Sequence, residues 1–98
     1  MSDARQILKA LGSRPIAYHP AIAKALGSVN AALVVCQLMY WDGKGSLDDG
    51  WVVKTNEEFT TELGMSEHEL ETARRKCKEA GVLKYERKGM PGRGHYLL

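Results

Sequence analysis

The sequence predicts a mainly helical fold with a small antiparallel β-sheet, and three observations predict it. Two Ser/Thr-x-x-Glu patterns, Thr55 to Glu58 and Ser66 to Glu69, each open a stretch with helical apolar spacing. Gly64 closes the first stretch just before the second cap, so a short glycine-containing turn joins two helices. Residues 82–88 and 95–98 then read as strands flanking the Gly- and Pro-rich turn of residues 89–94. A helix-turn-helix followed at once by a hairpin is the order of a winged helix-turn-helix.

The elements before it follow from the same local chemistry. Residues 1–14 read as an N-terminal helical extension. Ser2 or Asp3 is its cap, Ile7, Leu8 and Leu11 are its apolar face, and Gly12 is its stop. Arg14-Pro15 breaks the chain, and residues 16–18 are a candidate short strand. Pro20 suits the first turn of a helix that Gly27 closes. Ser28 caps the next helix, VNAALVVCQLMYW, which is apolar nearly all round apart from Asn30 and Gln37. Such a helix is buried on most sides. It is either wrapped by its own chain or part of a homodimer interface through Val29 to Trp41. Residues 42–50 are a polar glycine-rich loop, and residues 51–53 form a strand able to join the hairpin as a third. Phe59 and Leu63 make the inner face of the first motif helix, and Leu70, Ala73, Cys77 and Ala80 that of the second, which Gly81 stops.

Length and composition narrow the function. The 98 residues are one domain, with the helix-turn-helix at 55–80 and the wing hairpin at 82–98. A hydrophobic share of 44% excludes a disordered tail. Val29 to Trp41 is too short to span a bilayer, and the N-terminus lacks the apolar core of a signal peptide. A soluble cytoplasmic protein is expected, with Cys36 and Cys77 as reduced, buried thiols.

The charges are segregated. Residues 55–73 hold six acids and no Lys or Arg, whereas residues 74–98 hold eight bases against Glu79 and Glu86. The net charge of +2 conceals an excess of six positive charges at the C-terminal end. Arg74, Lys78 and their neighbours at the end of the second motif helix, together with the wing, are therefore expected to grip phosphates. Arg93, between two glycines, is placed at the wing tip with Arg87 and Lys88 flanking it. In a helix-turn-helix the second helix enters the major groove by its N-terminal part. The candidate DNA-binding set is thus Ser66, His68, Thr72, Arg75, Lys76, Arg87, Lys88 and Arg93. Glu67 and Glu71 oppose it, since acids on a groove-entering helix face phosphates unfavourably; Glu69 is occupied by its cap.

No catalytic triad, phosphate loop or Cys-x-x-Cys is present, and His19, His68 and His95 are dispersed along the sequence. Neither enzymatic activity nor a metal or other cofactor is expected.

Residues 16–98, about five-sixths of the chain, resemble the winged-helix domain of phage and plasmid replication-initiation proteins, including the DnaD-like and phage replisome-organiser groups. The stretches that carry the resemblance are AIAKALGSVNAALVVCQLMYW, DGWVVKTNEEFTTELGMS and KEAGVLKYERKGMPGRGHYLL. The Ser-capped helix with its Gly-Val-Leu strand is also shared by bacterial transcription regulators. The resemblance implies non-enzymatic binding of double-stranded DNA in replication initiation, with self-association and replisome proteins as partners. It also implies a further domain after the wing, so the chain is expected to be a free-standing domain or part of a longer protein. The alternatives are transcription control, or a protein-interaction winged helix with no direct DNA contact.

Overall fold

A computed structural model describes residues 4–6, 15–42, 50–88 and 93–98, with Lys88 described by its backbone alone. Residues 4–6 are helical; the cap and apolar face expected for the N-terminal extension, the middle of the 42–50 loop and the tip of the wing lie outside the described residues. The elements that follow are α1 (Pro20–Leu26), α2 (Val29–Trp41), β1 (Val52–Lys54), α3 (Asn56–Leu63), α4 (Glu67–Glu79), β2 (Lys84–Lys88) and β3 (Arg93–Leu97). The fold is the mainly helical one with a small antiparallel sheet that the sequence predicts.

The helix α2 is the axis of the domain. Ser28 caps it by accepting from the Ala31 N–H at 3.0 Å. It packs against α1, α3 and α4, and the run from Val34 to Leu38 is buried along with Ala31 and Ala32. Its large exposed apolar residues are Val29 (55%) and Met39 (49%), near its two ends. Most of its apolar surface is therefore covered by its own chain. The core around it joins Leu38, Phe59, Leu70, Cys77 and Tyr96, all essentially inaccessible to water. Removing each large apolar side chain from water stabilises the fold by roughly 1.5–3 kcal/mol. Cys36 and Cys77 are free and buried. The Cys77 thiol points at the Ala31 carbonyl, and burial pushes its pKa up to about 11.

The sheet has the order β1-β3-β2, antiparallel throughout. Alternation along the strands divides its two faces. Val52, Tyr96 and Tyr85 form one row on the helix-facing side, and Lys54, Gly94 and Arg87 form the next. Gly94 is required there by space. A Cβ on it would lie 2.8 Å from the Lys54 carbonyl oxygen and within 3.0 Å of both tyrosine rings.

Four sequence expectations are corrected. Residues 16–18 are not a strand: residues 15–19 have no regular structure, because the three-stranded sheet offers them no ladder partner. The strand expected from residue 82 starts at Lys84. Gly81 turns the chain at φ 75°, the Val82 N–H bonds back to the Cys77 carbonyl, and Leu83 drops into the core. Arg93 and Gly94, expected in the turn, already belong to β3. Ala80 is exposed because α4 ends at Glu79 and leaves it as the cap residue.

Gly94→Ala is expected to destabilise the domain by about 1–3 kcal/mol through overpacking. Urea unfolding followed by circular dichroism measures it, and an unchanged midpoint would contradict the close approach described.

Candidate nucleic-acid interface

The helix-turn-helix is built from two reciprocal capping boxes. Thr55 Oγ1 accepts from the Glu58 N–H at 3.1 Å, while Glu58 accepts from the Thr55 N–H at 3.1 Å. Ser66 and Glu69 repeat the exchange at 3.1 and 2.9 Å. The hydrogen bonds from Ser66 hold the Glu69 carboxyl below the usual carboxylate range. Between the boxes, Gly64 takes a left-handed conformation at φ 66°, where a side chain would be strained. Met65 is buried, which anchors the turn.

These caps set how α4 is rotated. Leu70, Ala73 and Cys77 face the core. Ser66, Glu67, His68, Glu71 and Arg75 are exposed, with Thr72 and Lys76 half-buried. At 100° per residue, His68, Thr72 and Arg75 share one outward stripe. Of the candidate residues on this helix, His68, Thr72 and Arg75 are thus brought together, while Lys76 lies off this stripe and the Ser66 hydroxyl serves the cap. Acids interrupt the stripe: Glu71 and Glu79 stand one turn before and after Arg75. Acids and bases are equal in number along α4, four of each.

Arg74 is not on this surface, contrary to the expectation that it grips phosphates. It is 9% exposed. Its Nη1 donates to Tyr96 Oη at 2.7 Å and to Asn56 Oδ1 at 3.0 Å, and its guanidinium lies 4.3 Å from the Tyr85 ring centroid. Burial pushes the Tyr96 hydroxyl up to about 12, with Arg74 pulling the other way, so the phenol stays protonated and accepts from Arg74. One side chain therefore fastens α4 to both hairpin strands and to the start of α3. Its place was readable from the helical wheel, since it falls between Leu70 and Cys77 on the inner stripe.

The hairpin divides its cations. Arg87 is exposed and lies on the strand face shared with Tyr85, the face that packs against α4. Arg93 lies on the opposite face with His95 and Leu97, as the alternating burial of β3 shows. Lys88 is the register partner of Arg93. The structure therefore places Arg87 on the same side as α4 and turns Arg93 away, with the wing tip itself outside the described residues. Lys78, omitted from the candidate set, sits above the Tyr85 ring at 6.0 Å and is exposed beside Arg87's strand.

A second polar cluster lies where β1, α2 and α3 meet. Glu62 accepts from Lys54 Nζ, from Gln37 Nε2 and, at 3.2 Å, from the Trp41 indole. Lys54 is 4% exposed and sits 4.7 Å from the Trp41 ring centroid. Sequence reasoning missed this lysine, yet it alternates with Val52 and so shares its inward face. Burial raises the Glu62 carboxyl, but the hydrogen bonds and the Lys54 charge together outweigh this and hold it below its ordinary value.

No family model, no curated protein and no solved structure matches the chain. No helix among the described residues is long and apolar enough to cross a membrane.

Because its folded value is depressed, Glu62 contributes stability that is present above the ordinary value of 4.5 and is lost as pH falls through the lower folded value. Glu62→Gln is expected to lower stability at pH 7 and to make the acid limb of the pH–stability curve shallower. Urea midpoints between pH 3 and 7 test this, and parallel curves for the two proteins would refute it.

Proposed function

We propose that this domain binds double-stranded DNA without catalysing a reaction on it, with α4 against the major groove and the hairpin against the neighbouring backbone. One observation supports this above the others. His68, Thr72 and Arg75 form one exposed stripe on α4, and the exposed cation Arg87 lies on the β2 face that packs against α4, next to the Arg74 contact. Lys78 flanks the stripe on the hairpin side and Lys76 on the opposite side, and Ser66 stands at the start of the helix. Among the described hairpin cations, Arg87 is on the strand face toward α4, while Lys84 and Arg93 belong to the opposite face. In this reading α4 supplies shape, polar contacts and the Arg75 charge, and the hairpin adds the Arg87 charge for phosphate. The sequence resemblance directs this activity to phage- or plasmid-type replication initiation, with transcription control as the alternative.

Glu67 and Glu71 on the exposed N-terminal half of α4 favour a second reading, a winged helix that binds protein through this face. A titration of the full chain against a fluorescein-labelled 20-base-pair duplex separates the two. DNA binding predicts a saturable anisotropy rise at 50 mM salt that weakens steeply by 200 mM. Arg75→Ala and Arg87→Ala are each expected to weaken binding on any sequence and to reduce the salt slope by about one. A flat anisotropy trace at low salt would remove the DNA reading.

A further inference from the structure

On the side of the domain formed by α2, α3 and residues 15–17 runs a groove of about 680 Å³. Ile16 and Ala17 form one wall, Tyr40 and Trp41 another, and Thr61 and Glu62 the third. It uses no residue of α4 or of the hairpin. Thr61 and Glu62 also line an adjoining depression whose other walls include Glu57 and Glu58. The surface is therefore continuous, apolar and aromatic at one end and acidic at the other.

The polar groups at the apolar end are already satisfied from within. Glu62 is held by Lys54, Gln37 and Trp41, and Lys54 is too deeply buried to project its charge outward. What remains for an occupant is apolar and ring surface beside the carboxylates of Glu57 and Glu58, both exposed. Among the described residues, no Lys or Arg lines either depression. A polyanion is repelled by that rim. A chain segment with bulky apolar side chains and adjacent positive charge is complementary to both ends at once.

We propose that this groove docks a short segment of a partner protein in which one or two bulky apolar residues are followed closely by lysine or arginine. The apolar residues fill the space between Ile16 and Trp41, and the cations lie over Glu57 and Glu58. The surface is independent of the face assigned to DNA, so the domain can hold a partner while α4 and the hairpin are occupied. It fits an adaptor role, with one side for nucleic acid and the other for a basic peptide.

The test uses the ¹⁵N-labelled full chain and two capped peptides, Leu-Trp-Leu-Lys-Lys-Lys and Leu-Trp-Leu-Glu-Glu-Glu. The lysine peptide is expected to shift the Trp41 indole N–H and the Gln37 and Thr61 amides saturably, leaving the Trp51 indole unmoved. The glutamate peptide is expected to leave all four in place. Glu57→Lys is expected to weaken the lysine peptide by about fivefold to tenfold, with an unchanged circular dichroism spectrum showing that the fold is kept. Equal shifts with both peptides, or none at Trp41, would overturn the proposal. So would a Trp41 shift that grows with protein concentration in the absence of peptide, which would make a second copy of the chain the occupant. Displacement of Trp41 by duplex DNA would overturn it as well.

Discussion

The arrangement of this domain depends on one buried cation. Arg74 leaves α4 on its inner side and meets Tyr96, Asn56 and the Tyr85 ring. A guanidinium removed from water is unfavourable unless its donors and its face are matched. Here two oxygens accept from it and an aromatic ring covers it. The pairing is also specific, because shifting the α4 axis or the hairpin register would strand the charge. The angle between α4 and the hairpin is set by this contact, and that angle determines which cations can share a surface.

The other end of the core has a matching device. Lys54, Glu62, Gln37 and Trp41 tie β1, α3 and α2 together, as Arg74 ties α4, α3 and the hairpin. Both clusters insert polar specificity into an otherwise apolar interior. Phe59 and Tyr96 meet edge to face between them, with ring centroids 5.0 Å apart. α2 runs through the middle, and its nearly uniform apolarity follows from being touched on so many sides. The sequence left open whether a second subunit was needed to cover this helix. In the structure its own chain covers most of it.

The same packing explains the distribution of charge. Of the bases in the C-terminal part of the chain, Arg74 is withdrawn into the interior, and Arg93 lies on the far face of β3. The acids of α3 gather beside the groove between α2 and α3, away from α4. The acids of α3 thus stand apart from the mixed acids and bases of α4.

Several features were decided by the sequence alone. Both capping boxes, the glycine stop between them, the Ser28 cap and the Pro20 start are as read, because each depends on residues within four positions of one another. The antiparallel hairpin followed from strand propensity flanking a Gly- and Pro-rich turn. The strand expected at residues 16–18 failed because a strand is defined by a partner elsewhere in the chain. Periodicity put Arg74 and Lys54 on inward stripes, but only contacts with distant elements decided that they and Glu62 pair there with oxygens and rings. Whether such a side chain is solvated or buried is settled when distant elements meet and offer it oxygens and rings. The division of Arg87 from Arg93 likewise required the register of β2 on β3, since one residue of slip exchanges the faces. Local chemistry placed the ends of the elements, and contacts between distant elements placed the charges.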